Sequence, residues 1–293
     1  MISPEKVRRF YAYGFNESQV HLTWSHIWSK QFKIRLRDDR FLSLNRLRDR
    51  FSFQSLKRYC VYFMPINLYM SVLNWLMPER VAEKSKANRA YPVGGEYVID
   101  VDHYLNWWPH GHHVDSDGIC TGCLVNAREI SLNLMDKIEE NYSNIHVIFS
   151  GKKGFHIHVL DFDVRDWTHY NEADPIKSHE VARFIYTKHV KQACGGFDDP
   201  HFILACDPMR VISFPESLNA ETGLICSYLG EREKFESTNL AEILRESRRA
   251  KWSLYPSEFM SLETDTVLRR YREETSLRNY AHLEPQGVKL VGR

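Results

Sequence analysis

The sequence lacks the features that mark several classes of protein. No apolar run approaches the roughly 20 residues that a membrane-spanning helix needs, and the N-terminus has no apolar signal-peptide centre. We therefore expect an intracellular protein, in the cytoplasm or nucleoid, or in a nucleus, with no membrane partner. The 39 basic and 38 acidic residues nearly cancel, so net charge alone does not argue for a nucleic acid or any other charged ligand.

Cysteines and linkers are also scarce. The chain has six cysteines in 293 residues, four of them isolated, which suggests reduced core thiols and not a disulfide framework. No internal repeat, low-complexity tract or long linker interrupts it, and 43% apolar residues supply a sizeable core. We expect a single catalytic domain over residues 1–293, with a mostly helical segment from about residue 239.

The charges that are present are unevenly distributed. Residues 30–58 hold ten basic and three acidic side chains, whereas residues 90–126 hold five acidic ones and no Lys or Arg. The basic segment is suited to following a phosphate backbone. The acidic segment, left without basic partners, is suited to attracting cations.

Helices and strands are both predicted, without the regular alternation of a parallel α/β protein. Ser3-Pro4-Glu5 is typical of a helix start, and residues 124–142 have helical spacing. Strands are predicted at 96–102, 145–149 and 155–160, with one or two more within 202–214 and a helix at 181–193. This mixture predicts an α+β fold of mixed β-sheets flanked by helices.

Two acidic residues lie two apart on the first of these strands. The period of two places Asp100 and Asp102 on the same face, where two carboxylates repel each other unless a proton or divalent cation lies between them. Two-metal nucleotidyl transfer needs such a pair. A strand end that enters solvent also carries acidic residues, and both interpretations remain open.

A basic, glycine-containing turn separates the next two strands. In Ser150–His156 (SGKKGFH) the glycines allow close backbone approach to a phosphate, two lysines add positive charge, and the imidazole of His156 can bond a phosphate oxygen. A solvated hairpin turn followed by a core histidine is the alternative. His158 shares the face of His156, so one of the two histidines is expected to be structural.

A Cys-x-x-Cys pair follows three histidines, directly before the predicted helix. Cys120 and Cys123 with two nearby imidazoles fit tetrahedral zinc, and a helix commonly follows such a knuckle. His112 with either His110 or His113 would complete the site. A redox pair or unrelated core cysteines are the competing interpretations.

The order of these motifs resembles the catalytic small subunit of archaeal and eukaryotic DNA primases, in the wider primase-polymerase superfamily. The motifs concerned are Asp-x-Asp, the knuckle, a long helix, Ser-Gly-basic-basic-Gly-x-His, and later Asp, Arg, Pro-x-Ser-Leu and Thr-Gly-Leu. The resemblance covers residues 96–161 and 197–230, and extends more loosely to residues 30–53. It implies a primase-polymerase core with a small zinc-knuckle stem at about 108–124.

The resemblance also implies an activity, its cofactors and its partners. It implies a template-directed polymerase that starts or extends primers from nucleoside triphosphates with two Mg²⁺ or Mn²⁺ ions and a structural Zn²⁺. Single-stranded DNA template, primer and nucleotides would be its partners, with a primase large subunit or a helicase as a further candidate. Only 37 residues separate Leu160 from Asp198, so the large helical insertion of many small subunits should be absent.

The residues that would carry these roles follow from the motif positions. The catalytic metal ligands would be Asp100, Asp102 and Asp198, with Asp199 and Asp207 as alternatives to the last. The nucleotide would be bound by Ser150, Gly151, Lys152, Lys153, His156, Arg210 and Asn219. Zinc would be held by His110, His112, Cys120 and Cys123.

Two positions depart from the family pattern. The family usually has Lys or Arg where this chain has Ser213, and His where it has Asn219. Weaker triphosphate binding is expected, which should penalise chain initiation more than extension. A metal-dependent nuclease and a zinc-containing nucleic-acid-binding subunit without catalysis are the alternatives, although retention of both aspartates and the basic turn argues against a decayed site.

Overall fold

A computed structural model describes residues 1–17, 20, 24–47, 52–81, 92–103, 114–116, 118–161, 202–205 and 210–248. The helices are α1 (Pro4–Arg9), α2 (Phe53–Phe63), α3 (Pro78–Val81), α4 (Thr121–Ile138), α5 (Arg232–Ser237) and α6 (Leu240–Ser247). The strands are β1 (Lys30–Arg35), β2 (Phe41–Ser43), β3 (Asn67–Trp75), β4 (Pro92–Gly95), β5 (Tyr97–His103), β6 (Ile145–Phe149), β7 (Gly154–Val159), β8 (Phe202–Ala205), β9 (Val211–Ser213), β10 (Leu218–Asn219), β11 (Leu224–Ile225) and β12 (Tyr228–Glu231). Single π- or 3₁₀-helical segments cover Phe10–Gly14, Trp24–Ser29 and Leu44–Leu47.

The first sheet is antiparallel and has the order β2-β1-β3-β4, with β9 also paired to β3. Its two faces differ in polarity because side chains alternate along each strand. Ile34, Leu68 and Met70 are fully buried in a core that includes α1 and α2. Lys33 and Tyr69, which are register partners, lie on the other face and are only partly buried.

The second sheet is also antiparallel, in the order β12-β6-β7-β5-β8. Ile99, Val101 and Ile157 belong to one core with residues of α4 such as Leu124 and Leu134. Val98 belongs instead to the core of the first sheet. The even-numbered side chains of β5 and β7 therefore point away from α4 and towards the first sheet, which is the face that carries the polar residues described below.

Sequence patterning predicted some of these elements, chiefly those around the acidic strand and the basic turn. The Ser3 hydroxyl accepts a hydrogen bond from the Lys6 amide at 3.3 Å, and Pro4 is the first residue of α1, as the helix-start motif indicated. Helix α4 begins at Thr121, earlier than the predicted residue 124, because Cys120 already occupies the N-cap position, and it ends at Ile138. The predicted strands within 202–214 are β8 and β9, and the α+β class is confirmed.

Some predictions fall on other parts of the chain. The expected helix at 181–193 and most of the segment after residue 239 lie outside the described residues, as does the stretch that would hold a helical insertion. Helix α6 agrees with the helical character expected after residue 239. The single-domain assignment stays a prediction. Within the described ranges no helix is long and apolar enough to cross a lipid bilayer.

Candidate functional site

The two aspartates lie side by side on β5, the strand between β7 and β8. Asp100 is the register partner of His156, and Asp102 is the partner of Gly154. A Cβ atom at Gly154 would lie 1.8 Å from the Val101 carbonyl oxygen, so any larger residue would push the strands apart. Glycine at this position therefore allows the basic turn to approach β5 beside Asp102.

Asp100 is deeply buried, with only 4% of its surface exposed. Its Oδ2 atom lies 2.7 Å from Nη2 of Arg210, whereas Oδ1 lies 3.5 Å from Nε2 of His156 and has no hydrogen-bond partner among the described residues. Burial raises the pKa of Asp100 to about 6, although the charges of Arg210 and Lys153 oppose this shift.

Asp102 shares the unfavourable environment. Burial, and then repulsion by Asp100, raise the pKa of Asp102 to about 6, against the influence of His156, Lys153 and Arg210. Near pH 7 both carboxyls are mostly ionised, so two like charges remain close together in a region of low dielectric constant. An unpartnered carboxylate oxygen and two oxygen-donor side chains are the ligand set that Mg²⁺ or Mn²⁺ prefers, so these residues fit a divalent cation.

Arg210 corrects one expectation from the sequence. The acidic stretch 90–126 has no Lys or Arg of its own, and we expected its carboxylates to lack basic partners. Arg210 supplies one because it leads into β9, and its carbonyl oxygen accepts a 3.1 Å hydrogen bond from the Val72 amide on β3. Sheet pairing thus brings the guanidinium to Asp100 from a distant part of the sequence.

The turn between β6 and β7 is held in a fixed shape. The Ser150 hydroxyl accepts hydrogen bonds from the amides of Lys153 and Gly154, at 3.3 and 3.1 Å. Gly151 has a φ of +82°, in the left-handed region that favours glycine, and its carbonyl oxygen accepts a 2.7 Å hydrogen bond from the Thr222 hydroxyl. The Ser150 hydroxyl therefore organises the turn from within.

The two lysines of the turn have different surroundings. The Lys152 ammonium forms an ion pair with Glu221. The Lys153 charge acts on both Asp100 and Asp102, lowering their pKa values. Of the two, Lys153 is the lysine whose charge is felt at the carboxylates.

His156 is neutral in this environment. It is only 3% exposed, and burial, with the nearby His158 and Arg210, lowers its pKa to about 3, although Asp102 acts in the opposite direction. A neutral imidazole has one donor and one acceptor nitrogen. His156 can therefore bond a phosphate oxygen through one N–H, but without a positive charge.

His158 is the structural member of the histidine pair. Its Nδ1 lies 2.6 Å from Oε2 of Glu96, whose Oε1 lies 3.3 Å from the ammonium of Lys30. Lys30 also donates a 2.8 Å hydrogen bond to the Val72 carbonyl. Burial alone would raise the pKa of Glu96, but Lys30 and His158 together lower it to about 2. This series of buried contacts connects β1 and β3 of the first sheet to β7 of the second.

The open face of the first sheet lies near the same carboxylates. Tyr69 lies between its register partners Lys33 and Ser213. Burial raises the pKa of the Tyr69 phenol, and among the nearby charges that act on it are those of Glu221 and Asp102. Sequence reasoning missed Tyr69, Lys30 and Glu96 as site residues. A tyrosine in a buried strand and a lysine at a strand start carry no local signal of such a role.

Asn219 lies against the basic turn. Asn219 is 6% exposed, and a Cβ atom added at Gly151 would lie 3.2 Å from the Cβ atom of Asn219. Its Oδ1 accepts a 3.0 Å hydrogen bond from the Glu221 amide. Asn219 thus occupies the predicted neighbourhood, with its carbonyl oxygen engaged in shaping the loop between β10 and β11.

The Cys-x-x-Cys pair lies where a tight loop meets α4. Val114 and Cys120 form a β-bridge, and the Asp115 side chain accepts a 3.0 Å hydrogen bond from the Ile119 amide. Burial, and then interaction with Cys120, raise the pKa of Cys123 to about 12. The two thiols are therefore close, and two adjacent sulfur donors fit half of a tetrahedral zinc site.

Several predicted ligands lie outside the described residues. They are Asp198, Asp199 and Asp207 as the third metal carboxylate, and His110, His112 and His113 for zinc. Within the described ranges no group of three or more His, Cys, Asp or Glu side chains gathers closely enough to hold a metal. The assignment of metal ligands stays a prediction.

Comparison with known proteins gives consistent matches. A family model described as DNA primase small subunit matches residues 99–275. The chain is 28% identical over 214 residues to the DNA primase small subunit of Pyrobaculum calidifontis, covering 61% of this chain and 65% of the relative. It is 34% identical over 110 residues to that of Methanobrevibacter smithii, covering 37% of this chain and 30% of the relative. The match thus spans less than two thirds of these relatives.

A solved structure was also found. The polymerase domain of Mycobacterium tuberculosis Ligase D in complex with DNA aligns over 87% of this chain and 93% of that chain, with a TM-score of 0.48 and 11% identity. This likeness is too weak to bear on function. The family model, in contrast, covers more than half of the chain, including Asp100, the basic turn and Arg210, so the chain belongs to the DNA primase small subunit family.

Proposed function

We propose that the chain is a template-directed nucleotidyltransferase that synthesises or extends short primers from nucleoside triphosphates on single-stranded DNA. Membership of the DNA primase small subunit family supports this class of reaction. The observation that carries the proposal is the pairing of β5 with β7. It places the buried carboxylate of Asp100 and the half-buried carboxylate of Asp102 directly beside the basic turn Ser150–Gly154.

We assign Asp100 and Asp102 as ligands of the catalytic Mg²⁺ or Mn²⁺ ions, with Asp198 as the third carboxylate and Asp199 and Asp207 as its alternatives. Such ions, when bound, activate an attacking hydroxyl and neutralise the triphosphate. The raised pKa values of Asp100 and Asp102 support this assignment, because a cation would offset the cost of burying their charges and would relieve the repulsion between them.

The chain's own residues would bind and orient the nucleotide. The positive φ of Gly151 and the internal hydrogen bonds of Ser150 fix the turn before any ligand arrives. Lys153 adds a positive charge near the carboxylates, and His156 offers one neutral N–H. Lys152, Arg210 and Asn219 line the same region and complete the proposed nucleotide site.

We propose a structural zinc ion at Cys120 and Cys123, completed by His110 and His112, with His113 as an alternative. The closeness of the two thiols at the start of α4 supports it. The ion would stabilise the part of the chain next to the start of α4. Its effect would be on folding or on template handling, because the thiols are not part of the carboxylate pair.

The curated relatives are named small subunits, which supports a partner of complementary role. We propose a primase large subunit or a helicase as that partner, and a role in DNA replication inside the cell. The template strand, the primer and the nucleotides are the remaining partners of the reaction.

Labelled nucleotides with a single-stranded template, with and without a primer, test this function in Mg²⁺ and in Mn²⁺. New labelled product is the expected result. Degraded template would indicate a metal-dependent nuclease, and retention of the template without chemistry would indicate a binding subunit. Either of these two results would contradict the proposal.

A further inference from the structure

Glu221 forms ion pairs with two cations beside the basic turn. Its Oε1 atom lies 3.0 Å from Nη1 of Arg35 on β1, and its Oε2 atom pairs with the ammonium of Lys152. Each carboxylate oxygen therefore binds a different cation. The three side chains are about a quarter exposed, so they remain accessible to a solvent-borne ligand.

The backbone holds Glu221 in this position. Its amide donates to the Asn219 side chain at 3.0 Å, and the next residue, Thr222, donates its hydroxyl to the Gly151 carbonyl at 2.7 Å. The loop that carries Glu221 is thus hydrogen-bonded to the turn that carries Lys152. Their ion pair follows from the shape of two connected loops.

The charges within this cluster balance. Arg35 also pairs with Asp39 at 2.7 Å, so two cations face two carboxylates. Hydrogen bonds from Lys152 and Arg35 hold the pKa of Glu221 below its usual value despite its burial, so the carboxylate is ionised at neutral pH. Lys152, one of the lysines assigned to the triphosphate, is therefore neutralised before any nucleotide binds.

We propose that Glu221 competes with the nucleotide's phosphates for Lys152, so that triphosphate binding requires exchange of the Lys152–Glu221 ion pair for a Lys152–phosphate contact. The proposal rests on the proposed function, because it takes Lys152 as part of the triphosphate site. Glu221 acts through Lys152 and is a positioning residue, which lowers nucleotide affinity.

Lys152 is the partner that exchanges. Arg35 has two carboxylate partners and a planar guanidinium that suits them, whereas Lys152 is a point charge on a flexible stem. After exchange Glu221 keeps its contact with Arg35.

Calorimetric titration of the full chain with a nucleoside triphosphate and Mg²⁺, without template, tests the proposal without turnover. Glu221→Gln keeps the shape and removes the charge. We expect the dissociation constant of the triphosphate to fall about threefold to thirtyfold in this variant, because Lys152 becomes available for a charge-assisted contact with a phosphate. The gain should be smaller for a nucleoside monophosphate, and Glu221→Ala should act in the same direction.

Two further variants distinguish competition from a general change in charge. Asp39→Asn removes the other partner of Arg35 without touching Lys152, and we expect it to leave affinity nearly unchanged. In a Lys152→Met background, Glu221→Gln should lose most of its effect.

Three results would overturn the inference. They are unchanged or weaker triphosphate binding by both Glu221 variants, an equal gain from Asp39→Asn, or a full effect in the Lys152→Met background. Failure of the wild-type chain to bind any nucleoside triphosphate would overturn the proposed function as well, whereas normal wild-type binding with unresponsive variants would overturn this inference alone.

Discussion

Replacement of Asp102 by asparagine should stabilise the metal-free protein at neutral pH. The pKa of Asp102 rises from its usual 3.8 to about 6 on folding, so the folded state binds more protons than the unfolded state between these values. The free energy of unfolding should therefore fall as pH rises through this window. Above pH 6 the ionised Asp102 destabilises the folded state to its full extent, and below about pH 4 this destabilisation is absent.

The size of the effect follows from the shift. Two pKa units correspond to about 3 kcal/mol at most, and because Asp100 and Asp102 titrate as a pair we expect Asp102→Asn to gain about 1–3 kcal/mol at pH 7.5. Urea denaturation of the metal-free proteins at pH 4 and pH 7.5 measures it. Added Mg²⁺ should stabilise the wild-type chain more than the variant.

Asp161 provides a matched control of opposite sign. Burial opposes the shift, but the pKa of Asp161 is lowered by hydrogen bonds from the amides of Ser143 and Asn144, so Asp161→Asn should destabilise at pH 7.5 and converge with wild type as pH falls. If Asp102→Asn destabilises the metal-free protein at pH 7.5, or if its effect is independent of pH, burial and repulsion do not destabilise the ionised carboxylates as described above.

Four further predictions concern single features. Lys153→Ala should raise the nucleotide concentration for half-maximal incorporation about tenfold, measured by initial rates, because it removes a charge-assisted phosphate contact. The Cys120→Ser/Cys123→Ser double variant should lose about one tightly bound zinc per chain, measured by elemental analysis. Ser213→Lys should tighten nucleotide binding and raise the ratio of initiation to extension, measured on primed and unprimed templates. Glu96→Gln should lower the free energy of unfolding by about 3–5 kcal/mol in urea titrations, because it leaves the buried Lys30 ammonium without its carboxylate.

Each of these expectations has a contradicting outcome. An unaltered nucleotide dependence in Lys153→Ala would give the turn a purely structural role. Wild-type protein that is fully stable without zinc would reject the zinc site. An unchanged initiation ratio in Ser213→Lys would show that another basic residue replaces the missing cation. If Glu96→Gln leaves the free energy of unfolding unchanged, the buried contacts among Lys30, Glu96 and His158 do not contribute to stability.

The parts of the site that sequence predicted are those with a local pattern. The period of two placed Asp100 and Asp102 on one face of β5. Ser150–His156 was recognisable as a turn and strand start because it holds two glycines and because alternating apolar residues follow from Phe155 onwards. Helical spacing likewise predicted α4. These features depend on residues close in sequence.

The ion pairs that surround the carboxylates could not be predicted in this way. Lys152 meets Glu221 only because two loops distant in sequence are hydrogen-bonded to each other. Arg210 meets Asp100 only because strands distant in sequence pair in a particular register. Lys30 is buried against Glu96 for the same reason. Composition showed a stretch without basic residues, but charge neutralisation is decided by neighbours in space, and the sequence does not list them.

The rate of labelled nucleotide incorporation on a primed single-stranded template tests the central claim most directly. Asp100→Asn and Asp102→Asn should each reduce it by at least about a hundredfold, since a metal-binding carboxylate stabilises the transition state by several kcal/mol. Asp136→Asn, a control on the solvent-facing side of α4, should keep the wild-type rate. Incorporation above about a tenth of wild type in either site variant would contradict catalysis by this carboxylate pair.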